Sequence, residues 1–392
     1  MISVEEALAR CLALVAPLSA ETVPLRHAAG RYMPAPAIAN LDQPPFAASA
    51  MDGYAVNGAA APGAVFRLIG ESGAGHGFAG ALEPGEAVRI FTGAPVPKGA
   101  NRVIIQEDVD AGGGAITVRP GTDIAIHIRP RGQDFSAGDA LPPRLLAPND
   151  LALLASMNIA RVPVTRRPVV ALIATGDELV MPGETPRVDQ IIASNTFALA
   201  ALIEATGGQA RMLPIAPDRE AELATVLRMA TGADLIVTIG GASVGDHDLV
   251  GKVAGDLGLE RAFWRIAMRP GKPLMAGRIL GSVMLGLPGN PVSSIVCAHL
   301  FLLPMIRAML GQPNPAPQPR RASLGANVDP NGPRAHYMRA QVVPGDGLPV
   351  ITPFDRQDSA LLSILTKANG LLIRPIGDRA RTSGETVTFL PL

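Results

Sequence analysis

The segment LIVTIGGASVGDHD, from Leu235 to Asp248, decides the fold of this chain. Its first five residues, Leu235–Ile239, are mostly β-branched and apolar, which is typical of a strand buried on both faces of a parallel sheet. The glycines that follow allow a tight turn at the carboxyl end of this strand. Because ligands of open α/β sheets bind at the carboxyl ends of the strands, the loop at 240–248 predicts part of a binding site.

Strand-like and helix-like segments alternate on both sides of this segment, from about residue 167 to residue 311. Apolar runs predict strands at 169–174, 209–215 and 284–286. Helical patterns occupy 194–205 and 219–229, and another helix begins at Pro291. This alternation indicates an open, mostly parallel α/β sheet with helices on both faces.

Two more loops follow predicted strands: ATGDEL at 174–179 and LPGNPVSS at 287–294. The loops of a parallel sheet converge at one edge, where glycines let an anion approach the backbone and the helix at Pro291 offers free N–H groups. Glu178, Asp246 and Asp248 provide the oxygen ligands that Mg²⁺ prefers. Taken singly, each loop is equally consistent with an ordinary turn, and each acid with a solvated side chain. Because the three loops share one edge of the sheet, a ligand-binding site is favoured over three unrelated turns.

A cationic segment, RPGKP at 269–273, follows Arg265 closely. Three positive charges held between prolines suit an oxyanion pocket, although a solvated surface loop explains this segment taken alone. The string GHGFAG at 75–80 matches the dinucleotide fingerprint, but Pro84 and Gly85 follow where its helix would start. We therefore discard a dinucleotide site.

The remainder of the chain is predicted to be short helices and small β domains. Ser3 and Glu6 form a capping box, and residues 1–40 are predicted to be short helices. Residues 148–158 predict a helix capped by Asn149 or Asp150. Short β-branched runs predict strands at 65–69, 87–92, 102–106 and 115–118. A proline-rich linker at 313–320 precedes a second small β domain.

The composition excludes several classes of protein. With 34 basic and 34 acidic residues in 392, the chain has no net charge to attract nucleic acid or an anionic membrane. Cys11 and Cys297 are too few for a disulfide framework or a thiolate metal site. The N-terminus lacks the basic region of a signal peptide, and the apolar stretch at 292–310 contains His299, Pro304 and Arg307. We expect a cytoplasmic protein.

Two strings in the first β region, SAMDGYAV at 49–56 and RIFTGAPVP at 89–97, put Asp52 and Thr92 beside glycines. By themselves they predict only turns. Together with Gln106–Glu107, RGQDFSAGD at 131–139 and the four strings above (ATGDEL, GGASVGDHD, RPGKP, LPGNPVSS), they resemble the molybdopterin molybdenumtransferase family of MoeA and the gephyrin E domain. The resemblance covers residues 1–320 closely and the remainder more loosely.

The resemblance implies an α/β multidomain fold with a central molybdopterin-binding α/β sandwich, two small β domains and a discontinuous helical segment. The implied domains are 1–40 with 141–166, 41–140, 167–312, and a barrel-like domain at 320–392. It also implies a homodimer whose active site lies between the α/β domain of one subunit and the first β domain of the other.

The resemblance further implies the reaction. A transferase of molybdenum cofactor synthesis takes adenylylated molybdopterin and molybdate and, with Mg²⁺, gives molybdenum cofactor and AMP. Other proteins of cofactor synthesis are possible partners, whereas nucleic acid and membrane are not expected. Because the dithiolene sulfurs belong to the substrate, no protein cysteine is required.

Site residues are carried over position by position. Glu178 and Asp248 are the implied Mg²⁺ ligands, and Lys272, Ser293, Arg339 and Ser359 match positions associated with molybdate. The implied catalytic residues are Asp52, Thr92, Asp134, Glu178, Asp218 and Asp248. The implied substrate-binding residues are Gly240, Gly241, Ser243, Gly245, Arg265, Arg269, Lys272, Pro288, Gly289, Asn290, Pro291, Ser293, Arg339 and Ser359.

The sequence departs from the family pattern at a few positions. Arg265 and Arg269 stand where the family usually has lysine, which keeps the charge but replaces a compact ammonium by a planar fork. Ala193 replaces an acid or amide. Two alternatives remain: an adenylyltransferase that uses ATP, against which the β domain with Asp52 and Thr92 argues, and a non-enzymatic scaffold. The sequence does not separate molybdate from tungstate.

Overall fold

The structure is a computed structural model, and it describes residues 1–241 and 249–392. The chain forms two compact units. One comprises Met1–Glu21 and Val164–Leu392, and the other comprises Thr22–Pro163. The second unit is therefore inserted into the sequence of the first.

The chain begins with helix α1, Val4–Ala13. The Glu6 N–H donates a hydrogen bond to the Ser3 hydroxyl at 3.1 Å, which satisfies one of the free N–H groups at the helix start. Val4, Ala7 and Cys11 are buried, one helical turn apart. The predicted N-terminal cap and helix are confirmed.

The inserted unit is mostly β structure. Its central sheet has six strands in the order β8-β5-β7-β6-β10-β9, and the side chains of Phe66, Ile104 and Ile116 form the core beneath it. The elements from the end of the first segment through this unit are β1 Ala20–Pro24, β2 Tyr32–Met33, β3 Ala37–Ile38, β4 Ala48–Ser49, β5 Gly53–Val56, β6 Val65–Ser72, β7 Glu86–Ile90, β8 Arg102–Ile105, β9 Val109–Gly112, β10 Ala115–Val118, β11 Ile128–Arg129, β12 Ala140–Leu141, β13 Arg144–Leu145, α2 Pro148–Ser156 and β14 Arg161–Thr165.

The prediction of short helices throughout residues 1–40 is wrong beyond α1. Residues 20–38 form three short strands and a single turn of 3₁₀ helix at Leu25–His27. Pro17, Pro24, Pro34 and Pro36 lack the N–H that a helix interior needs, so this segment takes extended structure instead. Strands β2 and β3 pair with β13 and β12, far along the chain.

The predicted cap of α2 is also corrected. The helix begins at Pro148, and the capping position is Ala147. Asp150 lies within the first turn, where its carboxylate accepts a hydrogen bond from the Ala147 N–H at 2.8 Å. The carboxylate therefore acts from inside the helix and not from the position before it.

The larger unit contains the sheet predicted from the segment at 235–248. Three parallel pairs join β18, β15, β19 and β23 in that order, and β22 and β20 extend the sheet antiparallel. The fold class is thus confirmed: the sheet is open and mostly parallel. Its elements are β15 Val169–Ala174, β16 Leu179–Val180, β17 Ile191–Ile192, α3 Asn195–Ala205, β18 Gln209–Met212, α4 Glu220–Met229, β19 Leu235–Ile239, α5 Leu249–Asp256, β20 Glu260–Trp264, β21 Met268–Arg269, β22 Met275–Ile279, β23 Ser282–Leu287, α6 Pro291–Cys297 and α7 Leu303–Met309.

The central strands of this sheet are inaccessible to solvent. Leu172, Val237 and Leu285, one from each of β15, β19 and β23, have no exposed surface. Burying a side chain of this size contributes about 1.5–3 kcal/mol to folding. The loops that leave these strands are therefore attached to a rigid sheet.

The last part of the chain is a small barrel. Strand β25 pairs with β26 and with β27, and the pairings β26–β24, β24–β28 and β28–β27 close the ring. Strand β21 adds to β25 outside the ring. The elements are β24 Arg320–Leu324, β25 Ala335–Val343, β26 Val350–Pro353, α8 Leu362–Leu365, β27 Gly370–Arg374 and β28 Thr386–Pro391.

One continuous helical segment, Pro291–Met309, is long and apolar enough by length and composition to cross a membrane. It joins α6 and α7 through a π-helical turn at Ala298–Leu302. Of its most apolar 18-residue window, 78% is buried inside the protein. The helix is placed as the core helix that the sequence predicts.

Candidate active site

A pocket of about 700 Å³ opens at the carboxyl edge of the parallel sheet. We call it the sheet-edge pocket. Its walls include Thr175 and Gly176 after β15, Gly240 and Gly241 after β19, and the loop 288–291 after β23. The prediction that these three loops converge is confirmed for their described residues.

Glycines allow these loops to approach one another closely. Gly240 has a φ of 93°, and a Cβ built on it would lie 2.9 Å from the Thr175 carbonyl oxygen. A Cβ on Gly289 would lie 3.4 Å from the Gly240 Cα. A side chain at Gly240 would push the loops apart, whereas a Cβ on Gly289 would be in ordinary contact, so backbone forms the pocket wall where these two glycines meet.

Two helices begin at the pocket. Ser194, Asn195 and Thr196 at the start of α3 line it, as do Asn290 and Pro291 at the start of α6. The Asn195 amide donates to the Gly289 carbonyl at 2.7 Å. Its Oδ1 atom is buried and accepts no hydrogen bond from the described residues. Because a buried polar atom without a partner is costly, this oxygen points to a donor on a bound ligand.

One detail of the α6 start corrects the sequence-based prediction. The Val292 N–H is not free, because it donates to the Ser359 carbonyl at 3.1 Å. The Ser294 N–H donates to the Asn290 carbonyl at 3.0 Å. The Val292 bond holds the helix start against the loop that carries Ser359, and the Ser294 bond is the first turn of the helix itself.

Acidic side chains gather on one wall of the sheet-edge pocket. Glu178 and Asp218 both line it, and Asp177 accepts a hydrogen bond from the Asp218 N–H at 3.1 Å. Desolvation, with repulsion from Asp177 and Glu178, raises the pKa of Asp218. Crowded carboxylates of this kind favour a bound cation.

The donors of this wall are the oxygens that Mg²⁺ prefers. Among residues 1–241 and 249–392, no group of three or more His, Cys, Asp or Glu side chains is arranged to hold a metal ion. Two carboxylates with phosphate oxygens suffice for Mg²⁺. Asp246 and Asp248, the other predicted cation ligands, lie outside the described residues, as do Ser243 and Gly245.

A second, smaller pocket of about 320 Å³ adjoins the first and shares Pro273, Pro288 and Asn290 with it. We call it the cationic pocket, because its described lining contains positive side chains and no carboxylate. The lining is Arg269, Pro270, Gly271, Lys272, Pro273, Pro288, Asn290, Ser293, Arg334, His336, Gln357 and Ser359. The structure thus brings Arg269, Lys272, Ser293 and Ser359 together.

Arg339 occupies a different environment from the other predicted anion ligands. Only 1% of its surface is exposed, and burial lowers its pKa. Its Nη1 and Nη2 atoms donate to the carbonyls of Leu361 and Arg356, each at 3.3 Å. Arg339 therefore holds the loop that carries Ser359. Direct contact of Arg339 with an anion stays a prediction.

Arg265 also lies apart from this group. Its guanidinium packs over the Trp264 ring at 3.8 Å from the ring centroid. Its backbone has a φ of 70°. A cation–π contact of this kind fixes the side chain by about 0.5–2 kcal/mol.

The inserted unit holds the other predicted catalytic residues. Asp52 and Thr92 are hydrogen-bonded to each other, and the Arg89 guanidinium donates to the Gly53 carbonyl at 3.2 Å. The Thr92 hydroxyl and N–H lower the pKa of Asp52, with a smaller effect from Arg89. Asp134 lines a separate pocket of about 550 Å³ that also contains Gly93.

Some residues of the two pockets in the larger unit were missed by the sequence analysis. Thr175 lies in the string ATGDEL and Asn195 lies in the predicted helix at 194–205, but neither was selected as a site residue. Arg334, His336 and Gln357 belong to no recognised motif. The pairing of β25 with β21 brings His336 to the cationic pocket, and Gln357 is held by hydrogen bonds to the Arg339 backbone. A mostly parallel α/β sheet with a glycine-lined pocket and an adjoining cationic pocket at its carboxyl edge is typical of α/β proteins that bind phosphate-bearing ligands.

Family models match almost the whole chain. The MoeA N-terminal region (domain I and II) matches residues 2–158, the probable molybdopterin binding domain matches 171–308, and the MoeA C-terminal region (domain IV) matches 321–392. The chain belongs to the MoeA family of molybdopterin molybdenumtransferases.

Individual relatives extend over nearly the full length. Molybdopterin molybdenumtransferase 2 of Mycobacterium tuberculosis is 36% identical over 371 residues, 90% of each chain. The molybdopterin molybdenumtransferase of Haemophilus influenzae is 33% identical and covers 100% of this chain and 98% of its own. The crystal structure of the molybdopterin biosynthesis moea protein from Pyrococcus horikosii has a TM-score of 0.86 at 29% identity, covering 100% of this chain and 99% of its own.

Proposed function

We propose that this chain is a molybdopterin molybdenumtransferase: it places molybdenum from molybdate into adenylylated molybdopterin and releases AMP. One observation carries the proposal. A glycine-walled pocket with carboxylates on one side adjoins a pocket with arginine and lysine side chains and no carboxylate among the described residues. The first is suited to a phosphate-bearing organic substrate with a cation, and the second to an inorganic oxyanion.

The sheet-edge pocket binds the pterin substrate in this proposal. Its volume of about 700 Å³ lies within the range of small-molecule sites. The backbone at Gly240, Gly241 and Gly289 approaches the phosphates, and the Asn195 Oδ1 accepts a hydrogen bond from the substrate. These groups orient the substrate against the neighbouring cationic pocket.

Glu178 and Asp248 hold Mg²⁺ in this proposal, with Asp218 on the same wall. Bound there, Mg²⁺ supplies positive charge that stabilises the phosphate leaving with AMP. Burial and repulsion from Asp177 and Glu178 raise the pKa of Asp218, and a cation bound at this wall would relieve that repulsion.

The cationic pocket binds molybdate. Arg269 and Lys272 neutralise the dianion, and the Ser293 and Ser359 hydroxyls donate hydrogen bonds to its oxygens. Arg339 keeps the Ser359 loop in position through its two carbonyl contacts.

Protein sulfur takes no part in this reaction. Burial raises the pKa of the Cys11 thiol to about 12 and raises that of Cys297 as well. A thiol of this kind is a poor ligand for molybdenum, since the thiolate is the form that binds metals. The sulfur ligands accordingly come from the dithiolene of molybdopterin.

We further propose that the protein acts as a cytoplasmic homodimer, and that Asp52, Thr92 and Asp134 take part in the reaction in that assembly. The hydrogen-bonded and exposed Asp52 supports this, because Thr92 keeps it ionised and accessible. Other proteins of molybdenum cofactor synthesis are the expected suppliers and recipients.

The test is turnover by the purified protein with adenylylated molybdopterin, molybdate and Mg²⁺. Release of AMP together with formation of molybdenum cofactor supports the proposal. Consumption of ATP with molybdopterin would instead identify an adenylyltransferase, and the absence of any turnover would leave a scaffold.

Two variants, one from each pocket, distinguish the proposed roles of the pockets. Lys272→Met is expected to weaken molybdate binding by about 1.5–3 kcal/mol, roughly ten- to a hundredfold, and high molybdate restores its rate. Glu178→Gln loses rate that molybdate does not restore, because its contribution is to the transition state. Equal rescue of both variants would contradict the division of roles.

A further inference from the structure

Three side chains form a row across neighbouring strands beside the cationic pocket. Arg269 of β21 is the register partner of His336 of β25, and His336 is the register partner of Arg374 of β27. Register partners on adjacent strands project from the same face of a sheet. The His336 imidazole therefore lies between two guanidinium groups.

His336 is also at the boundary of two pockets. It lines the cationic pocket, and it lines a pocket of about 420 Å³ next to the barrel, which we call the barrel pocket. Only 5% of the residue is exposed. A buried imidazole that forms part of the wall of an anion pocket is within reach of the pocket's ligand.

The charges around His336 differ between the side of Arg374 and the side of Arg269. Arg374 is neutralised by Asp378, whose carboxylate lies 2.6 Å from the Arg374 Nε. Arg269, Arg334 and Lys272 form no ion pair with any residue in the described ranges. Within the described part of the chain, the cationic pocket thus has three positive side chains without an ion-pair partner.

Among the described residues that line the two pockets, the acidic ones are Asp329 and Asp355, and both line the barrel pocket. The described charged groups around His336 include basic and acidic side chains. They are Arg269 and Lys272 of the loop at 269–273, Arg334 before β25, Arg339 of β25, Arg374, Asp378, which Arg374 shares with Arg381, Asp329, Asp355, and Asp358 between the lining residues Gln357 and Ser359. The balance near the imidazole is positive.

This setting strongly favours the neutral imidazole. Burial first, and then the charges of Arg269, Arg374, Arg339 and Arg334 in that order, lower the pKa of His336 to about 3. An incoming dianion would offset part of this positive charge and place acceptor oxygens beside the ring.

We propose that His336 is a proton-linked ligand of the cationic pocket: on binding of a tetrahedral dianion beside Arg269, Lys272 and Arg334, the imidazole takes up a proton from solvent and donates a hydrogen bond to the anion. The anion stays a dianion, and the imidazole becomes imidazolium. This inference rests on the proposed function in taking molybdate as the dianion.

A linkage relation follows directly. If binding takes up a proton, the affinity for the anion rises as the pH falls, by at most about tenfold per pH unit, which is the slope for one proton. His336 would then couple the retention of molybdate to pH in the neutral range.

The test is calorimetric titration of the purified full-length protein with molybdate at neutral pH, in two buffers of different ionisation enthalpy. The wild type is expected to show a buffer-dependent heat that corresponds to net proton uptake. His336→Gln is expected to bind molybdate with no uptake and with an affinity that changes little between pH 8 and pH 6. Sulfate, which carries no proton in this range, is the control ligand.

His299→Gln is the matched protein control. His299 is a half-buried histidine of the core helix, and burial lowers its pKa to about 4. This variant is expected to retain the proton uptake. If His336→Gln does not fold, the imidazole resonances of the wild type, followed by NMR during the titration, provide the same information, because protonation moves them in a known direction.

The outcomes separate the two proposals. Molybdate binding by the wild type without proton uptake, or uptake that persists in His336→Gln, overturns the role of His336 and leaves the proposed function intact. No binding of molybdate or sulfate by the wild type removes the anion pocket itself, and with it the proposed function.

Discussion

The Oδ1 atom of Asp52 accepts two hydrogen bonds from Thr92, one from its N–H and one from its hydroxyl, each 2.7 Å long. These bonds lower the pKa of Asp52, the hydroxyl having the larger effect. Thr92→Val removes the hydroxyl and keeps the shape, so we expect the pKa of Asp52 to rise towards its ordinary value. NMR titration of the Asp52 carboxyl measures the shift.

Thr92→Ser is the matched control, because it keeps the hydroxyl, and its Asp52 pKa should equal that of the wild type. The stability linked to a lowered aspartate pKa is present above the unfolded pKa and is lost as the pH falls through the folded one. The stability difference between Thr92→Val and the wild type should therefore disappear in acid. An unchanged Asp52 pKa in Thr92→Val would contradict this account.

The parallel sheet and its loops could be predicted from the sequence, because their signals are local. The composition of Leu235–Ile239 predicts a buried strand without knowledge of its neighbours. Because the carboxyl ends of parallel strands lie at one edge of a sheet, the loops after β15, β19 and β23 are then expected to meet there. Glu178 and Gly240 could be named for this reason.

Features that depend on distant pairing could not be predicted. Tyr32–Met33 is a strand only because Arg144–Leu145 lies beside it, and two residues are too few to show alternation. His336 reaches the cationic pocket because β25 pairs with β21, and no local pattern announces that pairing. The predicted role of Arg339 came from the family resemblance. Its contacts with the Leu361 and Arg356 carbonyls depend on how a distant loop packs, which no local pattern predicts.

Gly271 in the RPGKP segment tests how tightly that segment is packed. Its φ is 110°, and a Cβ there would overlap the Cys297 Sγ. Gly271→Ala is expected to lose about 2–4 kcal/mol of unfolding free energy, from overpacking together with the unfavourable backbone. Urea unfolding measures the loss.

Gly281→Ala is the control for the backbone part of this effect. Gly281 has a φ of 76° and open space around its Cα, so the variant should lose only about 1–2 kcal/mol. Adding Cys297→Ala to Gly271→Ala should restore the part that comes from overlap. A Gly271→Ala protein as stable as Gly281→Ala would show that the RPGKP segment shifts enough to relieve the overlap with Cys297 at little cost in stability.

Substitutions of Arg339 and Arg334 are expected to affect different properties, the first stability and the second molybdate affinity. Arg339→Met leaves the Leu361 and Arg356 carbonyls without their donor, at a cost of about 2–4 kcal/mol in stability. Arg334→Ala, in a half-buried side chain on the cationic pocket, should change stability by less than about 0.5 kcal/mol. Its molybdate affinity should fall roughly ten- to a hundredfold.

Urea unfolding and molybdate titration of the two variants check this prediction. Saturating molybdate should restore turnover of Arg334→Ala, while the lower unfolding midpoint of Arg339→Met should persist at every molybdate concentration after correction for ligand binding. A stable Arg339→Met protein with weak anion binding would instead indicate direct contact between Arg339 and the anion.

Two histidines should make the protein sensitive to acid. Burial lowers the folded pKa of His299 to about 4 and that of His336 to about 3. Between these values and the unfolded pKa near 6.5, the unfolded chain binds more protons, so stability falls as the pH falls, by up to about 1.4 kcal/mol per pH unit for each histidine. His336→Gln and His299→Gln should each flatten the plot of unfolding free energy against pH from 6.5 to 4, and the double variant should flatten it further. Because the variants share the carboxylates of the wild type, the difference between the curves isolates the histidines. Parallel curves for the wild type and both single variants would mean that each imidazole has the same pKa in the folded and unfolded chains, which would contradict the lowered folded values.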